Sequence, residues 1–95
     1  MFLGAYEFDG DTDEMLAAYA RLMAGFPPGA SDLHVCVVRD GGITIFDACP
    51  SREVFAEFSG SPGFAGAVAA AGLPAPQVEP LGDVHAAHLT KDVLA

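Results

Sequence analysis

The sequence predicts an α+β domain: an antiparallel sheet with two helices packed on one face. Two observations predict it. Short runs rich in aromatic and β-branched residues alternate with segments of helical periodicity, and an Asp-Gly pair separates two adjacent apolar runs where a tight hairpin is needed. Residues 2–8, Phe-Leu-Gly-Ala-Tyr-Glu-Phe, read as the first strand, ended by Asp9-Gly10-Asp11. Asp11 is expected to cap a helix, with the carboxylates of Asp13 and Glu14 at the positive end of its dipole. Met15, Tyr19, Leu22 and Phe26 then recur at helical spacing and read as a core stripe, flanked by Leu16 and Met23. Gly25 and Pro27-Pro28 stop that helix, since proline cannot continue it.

Residues 33–38 and 43–48 read as the second and third strands, joined by Arg39-Asp40-Gly41-Gly42, whose Asp-Gly tolerates the positive φ of a hairpin turn. Ser51 is expected to cap a second helix bearing Val54, Phe55 and Phe58 on one side. Gly60-Ser61-Pro62-Gly63 interrupts it, and an Ala-rich helical turn resumes through Phe64 and Val68 to Gly72. Pro74 and Pro76 belong to a linker, Gln77 to about Leu89 to a last strand broken near Pro80 and Gly82, and Thr90–Ala95 to a tail. The β-α-β-β-α-β order is the ferredoxin-like pattern, carried by a single domain over residues 1–95.

Composition narrows the partners. The chain carries 13 acidic against 4 basic side chains, a formal charge of −9, with 52% hydrophobic residues. Disorder is excluded by that hydrophobicity. Nucleic acid and anionic membranes are poor partners, because only Arg21, Arg39, Arg52 and Lys91 could neutralise phosphates. No apolar run approaches the ~20 residues of a membrane span, and Met1–Glu7 lacks the basic region of a secretory signal. Cys36 and Cys49 are too few for a disulfide framework, so a cytoplasmic location is expected.

The hairpin register predicts the site. With Asp40-Gly41 as the turn, Val38 faces Ile43, Cys36 faces Ile45, and His34 faces Asp47. Alternation places these six on one face, and Leu33, Val35, Val37, Thr44, Phe46 and Ala48 on the other. The second set is nearly all apolar, so it is expected under the helices. That leaves His34, Cys36, Ile45 and Asp47 on the bare face, where a second copy would close over them as a homodimeric barrel with a lumen.

The run Ile45-Phe46-Asp47-Ala48-Cys49-Pro50-Ser51-Arg52-Glu53-Val54-Phe55, then Ala70-Ala71-Gly72-Leu73-Pro74-Ala75-Pro76 and Asp83-Val84-His85, resembles the small dimeric α+β barrel proteins related to the antibiotic biosynthesis monooxygenases. The resemblance covers about residues 33–85. His34, Asp47, Ser51 and His85 match its pattern, while Cys49 stands where the pattern has Trp. It implies a cofactor-independent oxygenase, isomerase or cyclase acting on an aromatic or polyketide-like molecule, with His85 in the same lumen.

On the residues themselves, a carboxylate beside an imidazole fixes its tautomer and raises its basicity. His34 is the candidate base, Asp47 its orienting partner, and His85, Cys36, Ile45 and Cys49 the candidate substrate contacts. The same pair also reads as a cross-strand hydrogen bond satisfying two polar groups. Three functions therefore compete: an enzyme, a carrier or sensor for a small apolar or aromatic molecule, and a structural dimer filled by its own side chains. No cofactor is specified. His85 and His88 would point to opposite sides of a strand and cannot chelate one metal. In the calcium-like Asp9-Gly10-Asp11-Thr12-Asp13, Glu14 replaces the required glycine, and a helix start explains the acids better. Cys36 and Cys49 fall about 13 Å apart along the hairpin and are expected as free thiols.

Overall fold

A computed structural model describes residues 1–27 and 29–91. Pro28 and residues 92–95, the end of the expected tail, lie outside the described residues. The elements are β1 (Phe2–Asp9), α1 (Thr12–Ala24), β2 (Leu33–Arg39), β3 (Gly42–Cys49), α2 (Arg52–Ser59), α3 (Pro62–Ala71) and β4 (Gln77–Asp83). All strand pairs are antiparallel, in the order β2-β3-β1-β4. This is the ferredoxin-like arrangement, with β2 and β4 at the edges. Among the described residues no helix is long and apolar enough to cross a membrane.

Local chemistry sets each boundary. The Asp11 carboxylate accepts from the Glu14 N–H at 3.1 Å, and α1 closes where the Gly25 and Phe26 N–H groups donate to the Leu22 and Met23 carbonyls. Ser51 caps α2 by accepting from Val54 N at 3.2 Å. The interruption expected at Gly60-Ser61-Pro62-Gly63 divides the segment into two helices, and the second is a full helix where an Ala-rich turn was expected. Ser61 accepts from Phe64 N, Pro62 occupies the first turn, and Gly72 ends α3 at φ 87°, a left-handed conformation that favours glycine.

The last strand is shorter than expected: it ends at Asp83, not near Leu89. Gly4 pairs with Pro80 and Leu3 with Gly82, so Leu81 bulges out of the ladder. The Val84 N–H bonds to the Met1 carbonyl at 2.8 Å, and there the partner strand runs out.

The core lies between the sheet and all three helices. Phe2, Tyr6 and Phe8 of β1 and Ile43 and Ile45 of β3 are buried against Met15 and Leu22 of α1, Phe55 of α2, and Phe64 and Val68 of α3. Rings link the layers: Phe55 packs on Phe2 and Tyr6, and Phe64 on Tyr6, with centroids 5.1–5.7 Å apart. Gly4 permits this approach, because a Cβ there would fall 2.0 Å from Phe55 Cε1. Arg21 Nε donates to the Ala71 carbonyl at 2.9 Å and ties α1 to α3.

The faces of the hairpin are the reverse of the expected ones. The register is as predicted, with His34 opposite Asp47, Cys36 opposite Ile45 and Val38 opposite Ile43. Yet β1 aligns Gly4 with Asp47, Tyr6 with Ile45 and Phe8 with Ile43, so the polar set shares its face with the buried aromatic row and lies under the helices. Leu33, Val35 and Val37 point to the bare face, 37%, 42% and 41% exposed. The β1 aromatics decide the matter: they bury more apolar area than the valines of an edge strand can.

Candidate functional site

Across the helix-covered face, one row runs His34, Asp47, Gly4 and Pro80 from β2 to β4. His34 Nδ1 lies 2.6 Å from Asp47 Oδ1, and each side chain is 24% exposed. A carboxylate only accepts, so Nδ1 carries a proton, and in the neutral imidazole Nε2 then holds the lone pair. Nε2 is 2.6 Å from the Tyr19 hydroxyl of α1, which therefore donates to it. The tyrosine and imidazole rings are parallel within 9°, with centroids 5.8 Å apart. Burial, with Cys36 and Asp47 adding to it, pushes the Tyr19 phenol up and keeps it a donor. The result is a chain of hydrogen bonds from Tyr19 through His34 to Asp47.

Beside this chain lies a cavity of about 180 Å³ between the sheet and the helices. Phe26, Phe55, Phe58 and Phe64 form much of its wall; Tyr6, His34 and Asp47 are its inner polar groups, and the exposed Asp32 stands at the rim. No arginine or lysine among the described residues lines it. Tyr6 is buried except at its hydroxyl, which opens onto the cavity and makes no hydrogen bond among the described residues. Burial first, then Asp47 and Cys49, push that phenol far above its ordinary range, so it is a neutral O–H donor.

Four of the six expected site residues meet here: His34, Asp47, Ile45 and Cys49 all line the cavity. Cys36 does not. It packs against the core from β2, and burial pushes its thiol up, which makes it a poor thiolate nucleophile. His85 does not either: it lies beyond the end of β4, exposed to solvent, because the strand stops before reaching it. Cys49 donates its thiol to the Ser51 carbonyl at 3.3 Å, and both cysteines are free thiols.

Tyr19, which its helical spacing assigned to the core stripe, is the member of this polar chain that the hairpin register could not supply. A tyrosine within an apolar helical stripe needs a partner for its hydroxyl, and His34 becomes that partner once the faces are correctly assigned. The chain matches no family model, no curated protein and no solved structure.

Proposed function

We propose that this chain binds a small apolar or aromatic molecule in the cavity between its helices and its sheet, and acts on it as a cofactor-independent oxygenase, isomerase or cyclase. The reaction classes are those the resemblance to the antibiotic biosynthesis monooxygenases implies. The site is not the expected lumen, since the pair lies under the helices and His85 stands in solvent. The 2.6 Å contact between His34 Nδ1 and Asp47 beside an apolar cavity carries the reading. Asp47 holds the imidazole in one tautomer, and His34 Nε2 takes a proton from an acidic carbon or a phenol. The electron pair stays on the substrate as an enolate or phenolate. An isomerase returns the proton at another carbon; an oxygenase passes electrons from the carbanion to dioxygen as co-substrate. Transfer to Nε2 requires the acidic group to take the place of the Tyr19 hydroxyl.

That requirement also favours a second reading. An imidazole whose lone pair is already engaged by a neighbour suits a carrier or sensor, in which the polar groups serve recognition alone. Oxygen uptake with the single-ring probes hydroquinone and catechol, beside binding of each probe, separates the two. His34→Ala should abolish uptake with little change in affinity if His34 is the base. Equal loss of both, or no uptake by the native protein, leaves the carrier.

A homodimer accompanies either reading. The bare face carries Leu33, Val35 and Val37, and a second copy is the partner that would cover this self-complementary apolar row. Such a dimer closes over the valines and leaves the His34–Asp47 pair to the chain's own helices.

A further inference from the structure

From the size and chemistry of the cavity we infer that its ligand is a neutral single-ring phenol, the ring against the phenylalanine wall and the hydroxyl bonded to both Asp47 and Tyr6. The inference rests on the reading of the cavity as a small-molecule site and narrows its ligand class. Size comes first. A cavity of about 180 Å³ is close to the ~150 Å³ of an engineered cavity that binds benzene, and well below the roughly 300–1,000 Å³ of clefts for drug-sized ligands. One ring with a few substituent atoms fits, and a fused three-ring molecule does not.

Charge comes second. The cavity has no arginine or lysine in its wall, Asp47 inside and Asp32 at its rim, in a chain of net charge −9. An anion entering would meet carboxylates and nothing to neutralise it, so carboxylated and phosphorylated arenes are excluded.

Hydrogen bonding comes third. One Asp47 oxygen is taken by His34, and the other accepts no hydrogen bond among the described residues. The Tyr6 hydroxyl supplies an unpartnered donor on the neighbouring row, since Tyr6 pairs with Ile45, two residues from Asp47 on the same face. One free acceptor and one free donor match a group that both donates and accepts. A hydroxyl does both, and a ring attached to it fills the aromatic remainder of the space.

Titration of the isotope-labelled native protein with phenol, benzene, benzoate and a three-ring hydroxyarene, followed by amide chemical shifts, tests this. Phenol should saturate, moving signals of cavity residues, and bind about tenfold or more tighter than benzene, as one hydrogen bond to a charged acceptor requires. Tyr6→Phe keeps the ring and should weaken phenol several-fold while leaving benzene unchanged. Benzoate and the three-ring compound should not compete. If benzene matches phenol, or benzoate binds as well, the cavity remains a small-molecule site and the phenol assignment falls. If none of the arenes moves a cavity signal, the reading of the cavity falls with it.

Discussion

The Tyr19 hydroxyl on α1 sits 2.6 Å from Nε2 of His34 on β2, so a helix residue completes a polar chain that two sheet residues begin. This contact guards the one imidazole atom able to take a proton. Tyr19→Phe keeps the ring in place and removes only the donor. It should cost about 1 kcal/mol of stability in urea unfolding, the usual worth of one hydrogen bond. The freed Nε2 should also react faster with diethyl pyrocarbonate, read peptide by peptide so that His85 and His88 serve as exposed references. An unchanged rate at His34 would mean that the tyrosine does not shield the ring.

Asp47→Ala removes the acceptor of the His34 Nδ1–H, three-quarters covered, with no other partner among the described residues. The loss should be larger than for Tyr19→Phe, about 1–3 kcal/mol, because a donor is left unpaired rather than a weak acceptor. Adding His34→Ala to Asp47→Ala should recover part of the loss, since the orphaned donor then disappears. Strict additivity in that double-mutant cycle would show that the two side chains do not interact.

Much of this architecture was legible in the residues. Asp40-Gly41 set the hairpin register, and with it the His34–Asp47 pairing, because a tight turn leaves the strands no freedom to slip. Asp11 and Ser51 announced their helices. What the hairpin could not reveal was which of its faces turns inward. Val35 and Val37 read as the helix-packed face, and His34 and Asp47 as the bare face that a second copy would cover, so local polarity pointed the wrong way. The deciding information lay in another strand, where Phe2, Tyr6 and Phe8 claim the helices through their larger buried area. His85 escaped for a related reason: its placement depends on where β1 stops offering partners, a property of β1 and not of the Val-His segment itself.

Val35 is exposed at the centre of the apolar row, opposite Phe46 on β3. If a second copy covers this face, Val35→Lys should place like charges across a two-fold interface and shift sedimentation from dimer to monomer. The cavity is on the other side of the sheet, so phenol binding should persist in that monomer. A native protein that sediments as a monomer at all concentrations would remove the dimer while leaving the site untouched.

Gly4 joins the site to the core, lying between Asp47 and Pro80 with the Phe55 ring pressed against its Cα. Gly4→Ala would set a methyl group 2.0 Å from Phe55 Cε1, which has no room to be absorbed by a small rotation. A loss of about 1–3 kcal/mol is expected, typical of an overpacked core. Phe55→Leu alone should also destabilise, yet the double variant should be more stable than the sum predicts, because the smaller side chain gives the methyl space. Additive losses would place the cost of Gly4→Ala in the strand backbone instead.

Alkaline pH should loosen the protein through the same groups. Tyr6 and Tyr19 are raised above their ordinary value of 10.0, and Cys36 above 9.0, in each case first by burial. An acid raised on folding is held in its protonated form, and the unfolded chain loses its proton first. The stabilisation is therefore complete below the unfolded value, near 9.0 for Cys36 and 10.0 for the tyrosines, and drains away as pH climbs through the higher folded values. Urea midpoints should be level up to about pH 8.5 and fall steadily toward about pH 11. Tyr6→Phe has no proton to lose at that position, so its midpoint should fall less steeply than the native protein's. Parallel slopes would mean that the Tyr6 hydroxyl ionises as readily in the folded chain as in the unfolded one.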